Sequence, residues 1–138
     1  MQVNSPHFIF QHFPEIAGMK WLFVFLVGFA GLYQNNPLQN TRWQTLNPVI
    51  EKLTFQFTAS DTAYIFSKDS LIGTALYTVR SRTLNWKDIN GDMACGNNSA
   101  GKYFYIINND TLRFYMNQDS CEQRAAIFPN LVLKRVAR

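Results

Sequence analysis

Residues 103–116 read YFYIINNDTLRFYM. Tyr103, Tyr105 and Ile107 alternate with Phe104 and Ile106; Leu112, Phe114 and Met116 alternate with Arg113, Tyr115 and Asn117. Side chains of an extended chain point alternately to opposite faces, so a period of two marks a strand with two unlike sides. Between the runs stands Asn108-Asn109-Asp110, residue types that tolerate the backbone of a tight turn and bond nearby amides. The segment reads as one β-hairpin.

The same period recurs on both sides of it. Thr41 to Leu46 opens as a strand. Leu53, Phe55 and Phe57 alternate with Thr54, Gln56 and Thr58, and Tyr64 and Phe66 mark the next run. Leu76 to Val79 places Tyr77 and Val79 on one face, Leu84 and Trp86 alternate with Asn85 and Lys87, and Leu131 and Leu133 follow near the end. Turn chemistry separates the runs at Ser67–Ser70, Asn90–Asp92 and Gly96–Asn98. Short helical turns are expected at Asn47–Lys52 and within Ser120–Phe128. About eight short strands at roughly 8–12-residue spacing indicate an antiparallel barrel or sandwich. A barrel has the advantage that closure removes unpaired edges.

The chain has 138 residues, enough for one domain, with 47% hydrophobic, 15% aromatic and 16% charged residues. That aromatic content excludes a disordered polar chain. A net charge of +4 falls short of the clustered positive surface of a nucleic-acid binder, so no nucleic-acid partner is expected.

Lys20 precedes the apolar run Trp21–Val27, which ends in Gly28-Phe29-Ala30. A positive start, a short apolar stretch and a small-x-small end make a secretory signal. The run to Leu32 is shorter than the roughly 20 residues that span a bilayer. Cleavage is expected after Ala30, an uncleaved anchor being the alternative. Met19-Lys20-Trp21 reads as a natural start, so residues 1–18 are expected to be an upstream extension (the alternative being a genuine long n-region), 19–30 the signal peptide, 31–40 a linker and 41–138 the barrel. The expected location is secreted or periplasmic, with membrane contact only through the signal. The two histidines, His7 and His12, lie upstream of the signal. Removing them eliminates His-based acid–base catalysis, Ser-His and Cys-His nucleophile pairs and His-ligated zinc. The expectation is no enzyme, no catalytic residues, no metal and no cofactor.

Cys95 and Cys121 are the chain's two cysteines. In an oxidising compartment they are expected to form one disulfide, which stabilises by roughly 3–4 kcal/mol in the chain-entropy model.

Thr41-Arg42-Trp43 at the first strand, the tyrosine-bearing strand Gly73–Val79, the hairpin Tyr103–Met116 and the closing run Asp119-Ser120-Cys121-Glu122-Gln123-Arg124 stand together in one order. That order resembles the small secreted lipocalin-like proteins of bacteria, with Asp-x-Cys-x-x-Arg the most specific part. The resemblance covers Thr41 to Arg138 and implies an all-β, antiparallel up-and-down β-barrel of about eight strands, of the calycin type. It also implies that Trp43 packs against Arg124, a cation–π contact worth about 0.5–2 kcal/mol. Thr41 departs from the family by standing where Gly is usual.

Asp119 is expected to bond the backbone beside Cys121. Asp88, Asn90 and Asp92 lack the twelfth-position Glu of an EF-hand and read as a solvated turn. The candidate ligand-lining residues are Phe55, Phe57, Tyr64, Tyr77, Trp86, Tyr103 and Tyr105, set against the plainer reading that most of these rings fill a narrow core. The leading expectation is a non-enzymatic exported module holding a small hydrophobic or amphipathic ligand at the barrel mouth. The alternative is a secreted protein-interaction module, inhibitor-like or part of envelope assembly, built on a packed barrel.

Overall fold

The structure is a computed structural model that describes residues 35–46, 51–96 and 99–137. Eight strands follow in chain order: β1 (Thr41–Thr45), β2 (Leu53–Phe57), β3 (Thr62–Ser67), β4 (Ser70–Arg80), β5 (Thr83–Gly91), β6 (Ala100–Asn108), β7 (Thr111–Asp119) and β8 (Val132–Arg135). Each pairs antiparallel with its neighbour in sequence, and β8 returns to β1, giving a closed up-and-down barrel. Closure satisfies backbone donors on every strand that an open sheet would leave bare. A short helix, α1 (Glu122–Ile127), and a 3-10 turn (Phe128–Asn130) connect β7 to β8.

Turn chemistry explains where the strands reverse. Lys68 and Asp69 both adopt positive φ, 47° and 69°, between β3 and β4. Two successive left-handed residues make the turn whose twist matches a two-residue hairpin. Ser81 and Asn109 take the same region in the β4–β5 and β6–β7 turns.

The barrel has two unlike ends. The helix end carries α1, the β3–β4 turn and the β5–β6 loop. The opposite end carries the other hairpin turns and the approach to β1. There Leu38, within the segment expected to be a linker, is fully buried. Gln39 donates to the Ala59 carbonyl at 2.6 Å, fixing this approach across the end.

Alternation along the strands survives with two departures: β7 slips by one residue past Phe114, leaving Met116 exposed and Asp119 inward, and β3 turns its other face to the core. Ala63 and Ile65 turn inward in β3, so Tyr64 and Phe66 point outward. The reason is volume. Ala63 lies in register with Phe57 on one side and Ala75 on the other. These small residues leave room for the rings of Phe57 and Tyr77, whose centroids are 4.9 Å apart. An inward Tyr64 would claim the same space. The helical turn expected at Asn47–Lys52 falls mostly outside the described residues, as do the upstream extension, the signal segment with its cleavage point, and both histidines.

Candidate functional site

The helix end gathers the polar chemistry. Asp119 ends β7, and Arg124 lies one turn into α1, which Cys121 caps by accepting the Arg124 amide on Sγ at 3.4 Å. Arg124 is buried. Its Nε donates to Asp119 at 2.6 Å, its Nη1 to Asp88 on β5 at 2.5 Å, and its Nη2 to the Ser99 carbonyl at 3.1 Å. Asp88 also accepts from Trp86 Nε1 at 2.8 Å and from the Cys95 amide at 3.1 Å. Asp119 accepts from the Cys121 amide at 2.9 Å and from the Tyr103 hydroxyl.

Electrostatics follow from this geometry. Burial by itself would raise the Asp119 carboxyl. The Arg124 guanidinium, the Tyr103 hydroxyl and the Cys121 amide together hold it below its ordinary value. Burial works against the Arg124 charge, yet the two carboxylates stabilise the cation further. Tyr103 is pushed upward by burial and by the carboxylate it serves. The cluster is a satisfied ionic knot with no free base or acid, and its chemistry is to hold α1 against β5 and β7.

The disulfide Cys95–Cys121 ties the β5–β6 loop to the start of α1, with Cα atoms 6.0 Å apart. Arg124, which the family resemblance placed over Trp43, is committed to this knot. Trp43 is covered instead by Arg135, whose guanidinium carbon lies 4.5 Å from the indole centroid. The register decides this: Trp43 stands directly opposite Arg135 across the β1–β8 pair, whereas Arg124 is held at the helix end.

Six of the seven candidate ligand-lining residues, Phe55, Phe57, Tyr77, Trp86, Tyr103 and Tyr105, are buried inside the barrel; Tyr64 is on its outside. Phe128, which the sequence reading overlooked, enters from the 3-10 turn and fills the centre. Its ring lies 4.8 Å from Tyr103, 5.2 Å from Trp86, 5.4 Å from Phe114 and 6.2 Å from Phe55. The tyrosine hydroxyls are engaged as well: Tyr77 donates to the Thr58 carbonyl at 2.7 Å and Tyr105 to the Ser81 carbonyl at 3.2 Å. Burial pushes Tyr77 up to about 12.

Among the described residues a cavity of about 40 Å³ opens at the helix end, bounded by Leu53, Ile72, Trp86, Met93, Ile127 and Phe128, with Asp88 and Arg124 at its polar side. Drug-sized ligands occupy pockets of roughly 300–1,000 Å³. This one holds a water or two. Among the described residues no cluster of three or more His, Cys, Asp or Glu is placed to hold a metal, and no helix is long and apolar enough to cross a membrane.

Exposed apolar side chains lie on β4 and β5 (Leu71, Leu76 and Ile89) and on β6 and β7, where the rings are found. Phe104, Ile106 and Tyr115 are 46%, 50% and 46% exposed, and Phe104 stands directly opposite Tyr115. Compared with protein-family models, curated proteins and solved structures, the chain finds no match.

Proposed function

We propose that the protein is an exported, non-enzymatic barrel of lipocalin-like type that binds a partner through its outer surface. The observation that carries this reading is the filled interior. Eight rings from the strands and Phe128 from the turn occupy the space a ligand would need, and the cavity beside Phe128 is about 40 Å³. The eight-stranded antiparallel closure is compatible with the lipocalin-like resemblance. The disulfide suits an oxidising compartment. The non-enzymatic reading rests on the buried carboxylates Asp88 and Asp119, both of which Arg124 already pairs.

A second reading keeps a small hydrophobic ligand at the mouth, and the apolar rim of Ile72, Met93 and Ile127 favours it. It requires α1 or the β5–β6 loop to move aside. Native mass spectrometry of the exported form, purified without detergent, separates the two. The outer-surface reading expects the mass of the disulfide-bonded chain with no retained organic molecule. A stoichiometric lipid or pigment overturns it in favour of the mouth.

A further inference from the structure

We propose that the outward face of β6 and β7, centred on Phe104 and Tyr115, docks an acidic protein segment carrying an aromatic or aliphatic anchor; this rests on the outer-surface reading above. Two observations mark the face. Phe104, Ile106 and Tyr115 form a contiguous apolar patch about half exposed, where ordinary strand surfaces carry polar groups. Aromatic side chains with a neighbouring arginine are the residue types enriched at protein interfaces, and Arg113 lies opposite Ile106.

Charge selects the partner. The outward positions of β5 to β8 carry Lys87, Lys102, Arg113 and Lys134 and no carboxylate. The strand carboxylates of this region, Asp88 and Asp119, are drawn into the barrel by Arg124, and Asp110 in the hairpin turn sits beside Arg135. None of the four cations has an ion-pair partner among the described residues. Desolvating apolar surface among unpaired cations favours a partner that supplies negative charge around an apolar anchor. An open depression beside the patch, bordered by Ile106, Asn108, Thr111, Arg113 and Tyr115, lies where such an anchor would rest.

The same observations turn away other occupants. A membrane is entered by apolar loop tips, whereas the three turns next to this patch's hairpin end, Ser60-Asp61, Ser81-Arg82 and Asn109-Asp110, are polar, and Phe104, Ile106 and Tyr115 lie along the strands. A nucleic acid is tracked by a longer positive groove than four separated cations provide.

The test is a ¹⁵N NMR titration of the full chain with a random glutamate–tyrosine copolymer. Polyglutamate, oligo-dT and phosphatidylcholine–phosphatidylglycerol vesicles serve as comparators. The expected result is shifts of the Lys102–Ile106 and Arg113–Tyr115 amides, at least ten-fold weaker binding of polyglutamate, and affinity that falls with salt. Phe104→Ser and Arg113→Glu, each checked for an unchanged fold by its spectrum, should each weaken copolymer binding at least ten-fold. Equal binding of copolymer and polyglutamate, variants that bind normally, or tighter binding of DNA or vesicles to this face overturns the proposal. Shifts confined to another outer face overturn it and leave the outer-surface reading standing. A hydrophobic molecule retained at the mouth, with shifts at Met93 and Ile127, overturns that reading itself.

Discussion

Arg124 and Asp119 meet fork to fork: Nε reaches one carboxylate oxygen at 2.6 Å and Nη2 the other at 2.7 Å. Five residues apart, they hold the start of α1 against the end of β7, while Nη1 reaches across to Asp88 on β5. Bidentate pairing of this kind is directional as well as strong. It determines how the connection from β7 to β8 folds over the helix end.

Removing Arg124 strands two buried carboxylates. Arg124→Ala should destabilise by about 3–5 kcal/mol, the range for breaking a buried ion pair. At roughly 4–8 °C per kcal/mol for a domain near 100 residues, the melting temperature should fall by more than 10 °C. Arg135→Ala, which removes the cation over Trp43 and a long, exposed contact to Asp110, should cost about 0.5–2 kcal/mol. Denaturant titration of both variants checks the order; equal losses would mean that the knot is not the stronger contact.

Stability should be lost at both extremes of pH. Asp119 titrates below its ordinary value in the folded state, so its contribution is fully present above the unfolded value near 4. It disappears as pH falls through the lower folded value. Tyr77 behaves oppositely. Burial raises it to about 12, so its contribution is complete below about pH 10 and lost between 10 and 12. Tyr103 and Tyr105 shift in the same direction. Urea midpoints measured across pH should be flat in the middle and fall in strong acid and above pH 10. Asp119→Asn should be less stable at neutral pH and lose less of its remaining stability in acid.

Phe128 plugs the centre of the barrel. Phe128→Ala should destabilise by about 3–5 kcal/mol. It should also create a cavity against Phe55, Trp86, Tyr103 and Phe114. A variant that still folds should take up benzene or xenon, seen as a rise in melting temperature, where the wild type shows none. A wild-type chain that responds equally already contains such a space.

Replacing both Cys95 and Cys121 by Ser removes the link between the β5–β6 loop and α1, together with the sulfur that accepts the Arg124 amide. The loss should be about 2–5 kcal/mol. Hydrogen exchange should speed up first in residues 92–96 and in α1, while β6 and β7 remain protected. Uniform acceleration would mean that the bridge acts on the whole barrel.

Gly101 illustrates how closely the knot is packed. A Cβ there would collide with the Asp119 carboxylate and lie 2.8 Å from the Tyr103 ring. Gly101→Ala should therefore resemble a weakened Arg124 variant in its melting temperature and acid profile.

Much of the barrel was legible because its information is local. A period of two names a strand, and turn residues such as Asn109 and Asp69 mark reversals. Two cysteines allow one pairing. The inward residues of β5, β6 and most of β7 follow directly from Leu84, Trp86, Tyr103, Tyr105, Leu112 and Phe114. The candidate lining was less legible, because an aromatic ring reads alike whether it bounds a cavity or fills it.

Local pattern was ambiguous wherever both faces of a strand were apolar, as in Ala63-Tyr64-Ile65-Phe66. Which face turned inward depended on the volume left by Phe57 and Tyr77 from other strands. The partner of Trp43 depended on the β1–β8 register, and the partner of Arg124 on which carboxylates closure brought beside it. The sequence by itself determined alternation, reversals and the crosslink, since these depend on a residue and its near neighbours. Tertiary structure decided that the interior is filled, that Asp88 and Asp119 are drawn inward and that Phe104 and Tyr115 are left outside. The space within a closed barrel is finite, and a buried charge persists only where folding delivers an opposite one.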